Sequence, residues 1–381
     1  MLYLDSAATT PVRREALEAM WPYLTGEFGN PSSHHTVGER AAAALADARA
    51  RVAAVLGCRA GEVAFTSGGT EGANLAIKGL ALAGPRGLHV VTSPIEHEAV
   101  LASVEYLERV HGFTARRVGV TDEGTVTEDA LRAALSPDTT LVSVAYANNE
   151  IGTVQDLAAL TAVARAAGAL VHTDAVQASG WLPLDVRALG VDALTISGHK
   201  VGAPKGIGAA YVRGRLPLEP LVHGGGQERG RRSGTENVAG AVALAVALEL
   251  AEVSRAESVE RTTALREEFV ARVLGLVPTA VLTGPRSARL ANHASFCFPG
   301  TSGEAVLLEL ERRGVICSSG SACAAGSDEP SHVLTALGIP AEVAQTAVRF
   351  TFGRDVGAED LAAAAESVGA AVAAVGAIGV G

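Results

Sequence analysis

The sequence predicts an α/β protein with a mostly parallel seven-stranded sheet, helices on both faces and a smaller α/β domain at the C-terminal end. Short apolar runs typical of buried strands alternate with segments whose apolar residues recur at helical spacing, and this alternation predicts a parallel sheet. The alternation stops after residue 213, where a glycine- and arginine-rich loop precedes a long helical stretch. A chain of 381 residues also exceeds what one hydrophobic core usually supports. We therefore predict a large domain over 14–254 and a small one over 255–381.

Each element of this architecture follows from its own pattern. Apolar runs predict strands in the first part of the chain at 62–66, 89–92, 115–120, 140–146, 169–173, 193–197 and 208–212. Helical spacing predicts helices between most of these strands, at 70–82, 97–110, 127–135 and 156–167. The remainder is predicted to contain a helical stretch over about 237–276, strands at 293–298 and 347–352, and helices at 303–313 and 358–374.

Composition narrows the class of protein. Apolar residues make up 48% of the chain and charged residues 19%, which is typical of a globular protein with a large core. The net charge of −10 argues against direct binding to nucleic acid. No apolar run matches a membrane span: residues 239–250 come closest, and Glu249 at their end favours a buried helix. The N-terminus lacks the pattern of an export signal, and four cysteines without dense spacing suit a reducing compartment, so we expect a cytoplasmic protein.

Lys200 and Asp174 each follow a predicted strand, 26 residues apart. That interval accommodates a crossover between neighbouring strands, and the carboxyl ends of parallel strands meet at one edge of a sheet. Pyridoxal 5'-phosphate requires this pair, because the lysine binds its aldehyde and the aspartate keeps the ring nitrogen protonated. The alternative is a surface lysine and an acid that caps a loop.

A candidate phosphate site follows the strand at 62–66. The segment from 67 to 71 reads Ser-Gly-Gly-Thr-Glu and opens a helix, so free backbone N–H groups and the positive helix end meet there. Gly69 permits close approach of the backbone, Thr70 adds a hydroxyl, and Ser197 and His199 beside the lysine are candidate further donors. A glycine turn before a helix more often serves only as a cap.

Eight motifs occur in the order found in a known family: YLDSAATTP at 3–11, FGNPSS at 28–33, TSGGTE at 66–71, NNEIG at 148–152, SGHK at 197–200, RSGT at 232–235, SSGSAC at 318–323 and RF at 349–350. The chain resembles cysteine desulfurases of the NifS/IscS type, within class V of the aminotransferase-like enzymes. The resemblance spans residues 3–354, and the string ending in Cys323 is its most specific part. It implies the type I fold of pyridoxal phosphate-dependent transferases, with residues 1–13 joining the small domain.

The resemblance also assigns roles to single residues. It implies that His97 stacks on the pyridine ring and assists proton transfer, and that Asn149 and Gln177 contact the pyridine oxygen. The resemblance also implies that Asn149 and Arg349 bind the substrate. The Arg349 guanidinium would bind the substrate carboxylate through two parallel hydrogen bonds. Thr235 is implied to reach the cofactor phosphate of a partner subunit, which predicts a homodimer.

Cys323 distinguishes this chain from other pyridoxal enzymes. Its surroundings, 318–326, are small and polar, a composition that predicts a mobile loop and an exposed thiolate nucleophile. The resemblance implies that L-cysteine is the substrate, that alanine is released, and that sulfur remains as a persulfide on Cys323. A protein acceptor, either an iron–sulfur scaffold or a thiolation enzyme, then receives the sulfur. The alternative is an incidental loop cysteine.

Three other functions remain open at this point. They are a selenocysteine lyase, a class V aminotransferase with a bystander cysteine, and a non-catalytic sulfur-relay protein. The remaining cysteines, Cys58, Cys297 and Cys317, are predicted to be structural, although Cys317 lies close enough in sequence to pair with Cys323. No metal site is predicted, because no third and fourth ligand lie near these cysteines.

Overall fold

The computed structural model describes residues 1–214, 216–319 and 329–378. Its strands are β1 Leu2–Tyr3, β2 Val63–Thr66, β3 His89–Thr92, β4 Thr114–Arg117, β5 Thr139–Ser143, β6 Leu170–Asp174, β7 Ala193–Ser197, β8 Gly208–Val212, β9 Val281–Leu282, β10 His293–Cys297, β11 Val315–Ile316 and β12 Ala347–Thr351. Its helices are α1 Arg14–Leu24, α2 Thr36–Val55, α3 Gly69–Ala83, α4 Glu98–His111, α5 Glu128–Ala134, α6 Leu157–Ala166, α7 Val186–Leu189, α8 Val238–Val253, α9 Arg255–Leu276, α10 Gly303–Arg312, α11 His332–Ala336, α12 Ala341–Ala344 and α13 Ala358–Ile378.

The central sheet contains seven strands in the order β2-β8-β7-β6-β5-β3-β4. Neighbouring strands run parallel except at β8, which is antiparallel to both β2 and β7. Strands β2, β5, β7 and β8 are buried along their whole length, as expected for a sheet covered by helices on both faces. The predicted mostly parallel seven-stranded sheet is confirmed.

Two predicted elements end differently in the structure. The strand predicted over 140–146 is shorter in the structure and ends at Ser143. The backbone N–H groups of Val144 and Tyr146 still donate to carbonyls of β6, whereas that of Ala145 donates to the Glu96 carboxyl group instead of to a neighbouring strand. The helical stretch predicted over 237–276 is two helices that meet at Ser254. The Ser254 hydroxyl donates to the carbonyl of Leu250 at 2.9 Å, a side-chain bond that competes with the helical pattern. Helices α1 and α2, which the sequence analysis did not identify, pack against α8.

The N-terminal residues pack with the C-terminal part of the chain. Strand β1 pairs in parallel with β11, and Asp5 forms a bridge to Thr351 of the three-stranded sheet β12-β10-β9. Leu4 belongs to the same apolar cluster as Phe296 and Phe350. Residues of the N-terminal segment therefore contact the C-terminal elements, while the division into a large domain over 14–254 and a small one over 1–13 and 255–381 stays a prediction.

Among the described helices, α13 is the one long and apolar enough, by length and composition, to cross a membrane, whereas the sequence placed the nearest match at 239–250. It is alanine-rich, and Leu361, Ala365 and Val368 recur on one face at helical spacing. These three side chains are buried in the cluster that contains Leu4, and the helix packs against α9. One buried face on a packed helix is typical of the core of a globular protein.

Candidate active site

A cavity of about 410 Å³ lies beyond the carboxyl ends of the parallel strands. Its walls include Gly69, Thr70, His97, Asn149, Asp174, Gln177, Ser197, His199, Lys200 and Arg349. The structure therefore brings ten predicted site residues together. Thr235 is exposed and does not line this cavity, and Cys323 lies outside the described residues.

Lys200 ends a short 3-10 turn, Gly198–Lys200, that directly follows β7. Its Nζ donates to the carbonyls of Ala7 and Ala8, the latter at 2.7 Å. The segment after β1 therefore forms the wall against which the lysine amine lies. Thr10 strengthens this contact, since its backbone N–H donates to the carbonyl of His199 at 2.9 Å. The sequence predicted the lysine but not this partner segment.

Asp174 is the last residue of β6, and its side chain faces the cavity. Its Oδ1 accepts the backbone N–H of Val176 at 2.9 Å. Burial raises the pKa of Asp174, while that hydrogen bond and the charges of His97 and Lys200 act in the opposite direction. A carboxylate in such surroundings is stabilised by a cation, which is what a protonated ring nitrogen provides.

The phosphate turn, defined as residues 67–71, has the predicted form. Helix α3 begins at Gly69, so the first backbone N–H groups of the helix lack intrahelical partners. A Cβ at Gly69 would lie 2.8 Å from Cγ2 of Val176, so the space above this turn depends on glycine. Burial, followed by the charges of Lys200 and Lys205, lowers the pKa of His199 to about 4. His199 is therefore a neutral imidazole near pH 7, with Nδ1 3.1 Å from Oγ1 of Thr9.

These residues fit pyridoxal 5'-phosphate. The phosphate turn supplies N–H and hydroxyl donors for the phosphate, and Asp174 supplies an anion for the ring nitrogen. Lys200 supplies an amine for the aldehyde in the same cavity. The fit depends on three chemically different groups that come from three separate strand ends.

His97 caps α4, and Nδ1 accepts the backbone N–H of Ala99 at 3.0 Å. In the neutral ring this bond leaves the proton on Nε2.

The residue before His97, Glu96, was missed by the sequence analysis. It is 1% exposed and accepts from Oγ of Ser93 at 2.6 Å and from the N–H of Ala145 at 2.9 Å. Burial raises the pKa of Glu96 to about 8. The sequence signal that could have identified Glu96 was an ionisable residue in the short segment that leads into α4.

Arg349 lies in the middle of β12 and is 1% exposed. Its Nη2 donates to Oδ1 of Asp5 at 2.8 Å and its Nη1 to the carbonyl of Asn149 at 3.1 Å. The guanidinium is therefore fixed at the cavity wall by the N-terminal segment and by the segment after β5. This orientation is compatible with binding of the substrate carboxylate by Arg349, and that role stays a prediction.

Both described ends of the segment that contains Cys323 are attached near the cavity. On one side, the backbone of Ser318 exchanges two hydrogen bonds with that of Arg349, at 2.7 and 3.2 Å. On the other side, Oγ of Ser331 donates to Oε2 of Glu150 at 2.5 Å. His332, to which the sequence analysis assigned no role, lines the cavity and contacts the carbonyl of Glu96 through Nε2 at 3.0 Å.

The other cysteines are buried or half-buried, and they are free. Burial raises the pKa of Cys297 to about 11 and that of Cys58 to about 12, and it raises the pKa of Cys317 further. A thiol with a raised pKa is a poor nucleophile at neutral pH. Residues 1–214, 216–319 and 329–378 contain no group of three or more His, Cys, Asp or Glu side chains suited to hold a metal ion.

Arg354 is held by structural contacts. Its guanidinium stacks 4.9 Å from the ring centroid of Trp181, and Nη1 donates to the hydroxyls of Ser254 and Ser258. Arg354 therefore connects the chain after β12 to the junction between α8 and α9.

Comparison with known proteins identifies relatives over nearly the whole chain. Residues 2–363 match the family model described as aminotransferase class-V. A protein named cysteine desulfurase IscS from Dictyoglomus turgidum is 46% identical over 94% of this chain and 91% of its own length. One of the same name from Methanosarcina thermophila is 45% identical over 94% and 89%. A solved structure titled NIFS-like protein superposes with a TM-score of 0.90 at 36% identity, covering 97% of this chain and 98% of that one. The structure of SspA in complex with cysteine gives 0.81 at 36% identity, covering 92% and 99%.

Proposed function

The chain belongs to the class V aminotransferase family, among its cysteine desulfurases, and we propose that it transfers sulfur from L-cysteine to Cys323, releasing L-alanine. One observation carries this proposal. Asp174, Lys200 and the phosphate turn surround a single cavity, and the segment with Cys323 is attached at both described ends to residues of that cavity's wall.

The family implies dependence on pyridoxal 5'-phosphate. In this chain Asp174 would hold the ring nitrogen and Lys200 the aldehyde. The ring oxygen would be held by Asn149 and Gln177, and the phosphate by Gly69, Thr70, Ser197 and His199. When bound, the cofactor supplies an electron sink for bond changes at the substrate α-carbon.

The chain's own side chains then have separate tasks. Arg349 binds the substrate carboxylate, assisted by Asn149, and so orients the α-carbon. Lys200 removes the α-proton, with His97 assisting proton transfer at the ring. The Cys323 thiolate attacks the substrate sulfur, so a sulfur–sulfur bond forms as the carbon–sulfur bond breaks. The carbon skeleton gains a proton in place of sulfur and leaves as alanine, and the persulfide passes to a protein acceptor.

We propose a cytoplasmic homodimer in which Thr235 reaches the phosphate site of the partner. Two features of the single chain support a partner copy. Thr235 is exposed outside its own cavity, at the end of a glycine- and arginine-rich loop. Leu17, Trp21 and Leu24 form an apolar stripe on α1 in which Trp21 is 62% exposed, and a stripe of this kind marks an interface. An iron–sulfur scaffold or a thiolation enzyme fits as the sulfur acceptor.

The test supplies L-cysteine and a thiol to the purified enzyme and measures alanine and sulfide, which should appear in equal amounts. Cys323→Ser should abolish sulfide release while the cofactor stays bound, because a serine hydroxyl is a poor nucleophile toward divalent sulfur. Cys58→Ser, Cys297→Ser and Cys317→Ser are the matched controls and should keep most activity. Trapping should find the persulfide on Cys323 alone.

Other outcomes identify the competing functions. Wild-type turnover of cysteine by Cys323→Ser would eliminate the persulfide step. Amino transfer to a keto acid that is indifferent to Cys323 would identify an aminotransferase. A strong preference for selenocysteine over cysteine would identify a selenocysteine lyase, and failure to bind the cofactor would leave a sulfur-relay protein.

A further inference from the structure

An ion pair joins the phosphate turn to the loop that carries Thr235. Glu71 stands in the first turn of α3, directly after Thr70, and its Oε1 accepts from Nε of Arg232 at 2.9 Å. The other oxygen of Glu71 accepts the backbone N–H of Ser67 at 2.8 Å. Both charged side chains are largely buried, at 16% and 27% exposure. The turn assigned to the phosphate therefore contains a fixed acidic group.

Glu71 is ionised in this position. Burial alone raises its pKa, but the hydrogen bonds from Arg232 and Ser67 outweigh burial and hold the pKa below its usual value. A negative charge at a helix N-terminus occupies the same favourable field that a phosphate uses, and two anions there repel each other. A phosphate site that includes Glu71 therefore needs a compensating cation, and Arg232 is the cation bonded to it.

A second ion pair fixes the loop that carries Arg232. Arg49 and Glu228 are buried and form two parallel bonds, Nη1–Oε2 at 2.5 Å and Nη2–Oε1 at 2.7 Å. Glu228 Oε2 also accepts the backbone N–H of Phe65 in β2 at 3.0 Å. The backbone φ angles of Glu228 and Arg229 are +50° and +58°, values that residues other than glycine rarely adopt. The loop is thus anchored to the strand that leads into the phosphate turn.

We propose that Arg232 is a positioning residue for the cofactor phosphate of its own subunit, acting through Glu71. It neutralises the Glu71 carboxylate and holds the first turn of α3, while the Arg49–Glu228 pair holds the loop in place. This inference depends on the proposed function, because it requires a phosphate at the turn. It differs from the role of Thr235, which serves the partner's site.

The test compares two cofactors that differ only in the phosphate, pyridoxal 5'-phosphate and pyridoxal, by titrating cofactor-free protein and following absorbance. Arg232→Gln should weaken binding of the phosphorylated form about tenfold, since it leaves Glu71 uncompensated at the helix end. Binding of pyridoxal should not change, because it lacks the phosphate anion that Glu71 would repel. The double variant Glu71→Gln/Arg232→Gln should recover most of the lost affinity, and Arg232→Lys should lose little.

Glu309→Gln is the matched control, because it removes a similar carboxylate–arginine pair, to Arg313 at 2.9 Å, on α10. It should alter neither affinity. An equal loss for both cofactors in Arg232→Gln would indicate general damage and would overturn the inference. Absence of recovery in the double variant would also overturn it, since loss of the Thr235 position is not repaired by removing Glu71. Wild-type protein that binds both forms equally would overturn the assignment of the phosphate turn itself.

Discussion

At the scale of single residues, Lys200 and Asp174 were predictable because their chemistry is local: each follows an apolar strand whose end the sequence marks. What holds them was not predictable. Lys200 contacts the carbonyls of Ala7 and Ala8, almost two hundred residues away, and backbone carbonyls leave no signature in a sequence. Glu96 was missed for a similar reason, since the N–H of Ala145 becomes its partner only when the chain leaves β5.

The first prediction concerns the attachment point of the cofactor. Borohydride reduction of the purified protein, followed by peptide mapping, should find the cofactor on Lys200, and Lys200→Ala should lose this linkage. The reason is that the Lys200 amine lines the same cavity as Asp174 and the phosphate turn. Lys205→Ala is the control and should keep the linkage. Recovery of the label on Lys205 or Lys78 would show the assignment to be wrong.

The second prediction concerns pH and Glu96. Its pKa in the folded protein, about 8, lies above the ordinary value of 4.5. The folded protein therefore keeps a proton that the unfolded chain releases, and this group lowers the free energy of unfolding as the pH rises from about 4.5 to about 8. Glu96→Gln does not ionise but keeps the shape of the protonated acid. Its thermal midpoint relative to wild type should therefore rise across this range.

The measurement compares thermal unfolding curves of wild type and Glu96→Gln at several pH values and follows the difference between their midpoints. A difference that stays flat across this pH range would mean that Glu96 is ionised in the folded protein.

At the scale of elements, the period of the apolar pattern sufficed for most strands and helices of the central sheet. It failed where a side-chain contact ended an element. Beyond the end of β5 the N–H of Ala145 donates to Glu96 instead of to a neighbouring strand, and the helical stretch divides at Ser254 although the apolar residues continue. The bond between Ala145 and Glu96 joins residues 49 positions apart, so local spacing cannot show it. The bond of the Ser254 hydroxyl spans only four residues, but it involves a polar side chain and leaves the apolar period unchanged.

The third prediction concerns the buried pair between α2 and the loop before α8. Arg49→Met should lower the free energy of unfolding by about 3 kcal/mol or more, because it leaves Glu228 buried without a counter-charge. Arg51→Met on the same helix is the matched control. Its partner Glu249 is half exposed, and the loss there should stay below about 1 kcal/mol. Urea unfolding of both variants measures the difference, and equal losses would contradict a special role for the buried pair.

At the scale of the whole molecule, the order of the motifs along the chain carried more information than any one of them. The sequence predicted that strand ends converge, and ten site residues do surround one cavity. It did not predict that the N-terminal segment would form a wall of this cavity, since Asp5, Ala7 and Ala8 act through long-range contacts with Arg349 and Lys200. Thr235 stays outside the cavity of its own chain, so the site as proposed is complete only with a second copy.

The fourth prediction tests this completion by mixing variants. Lys200→Ala and Thr235→Ala homodimers should each bind the cofactor poorly. The first lacks the amine that binds the aldehyde, and the second lacks the contact to the phosphate. If Thr235 acts in the partner's site, a mixed dimer has one site with both Lys200 and Thr235. In that site the Thr235→Ala chain supplies Lys200 and the Lys200→Ala chain supplies Thr235. Differently tagged subunits, purified as mixed dimers, should therefore regain one wild-type cofactor site per dimer. A mixed dimer without any wild-type site would show that Thr235 serves its own subunit, and a fully active monomer in sedimentation would remove the need for a partner.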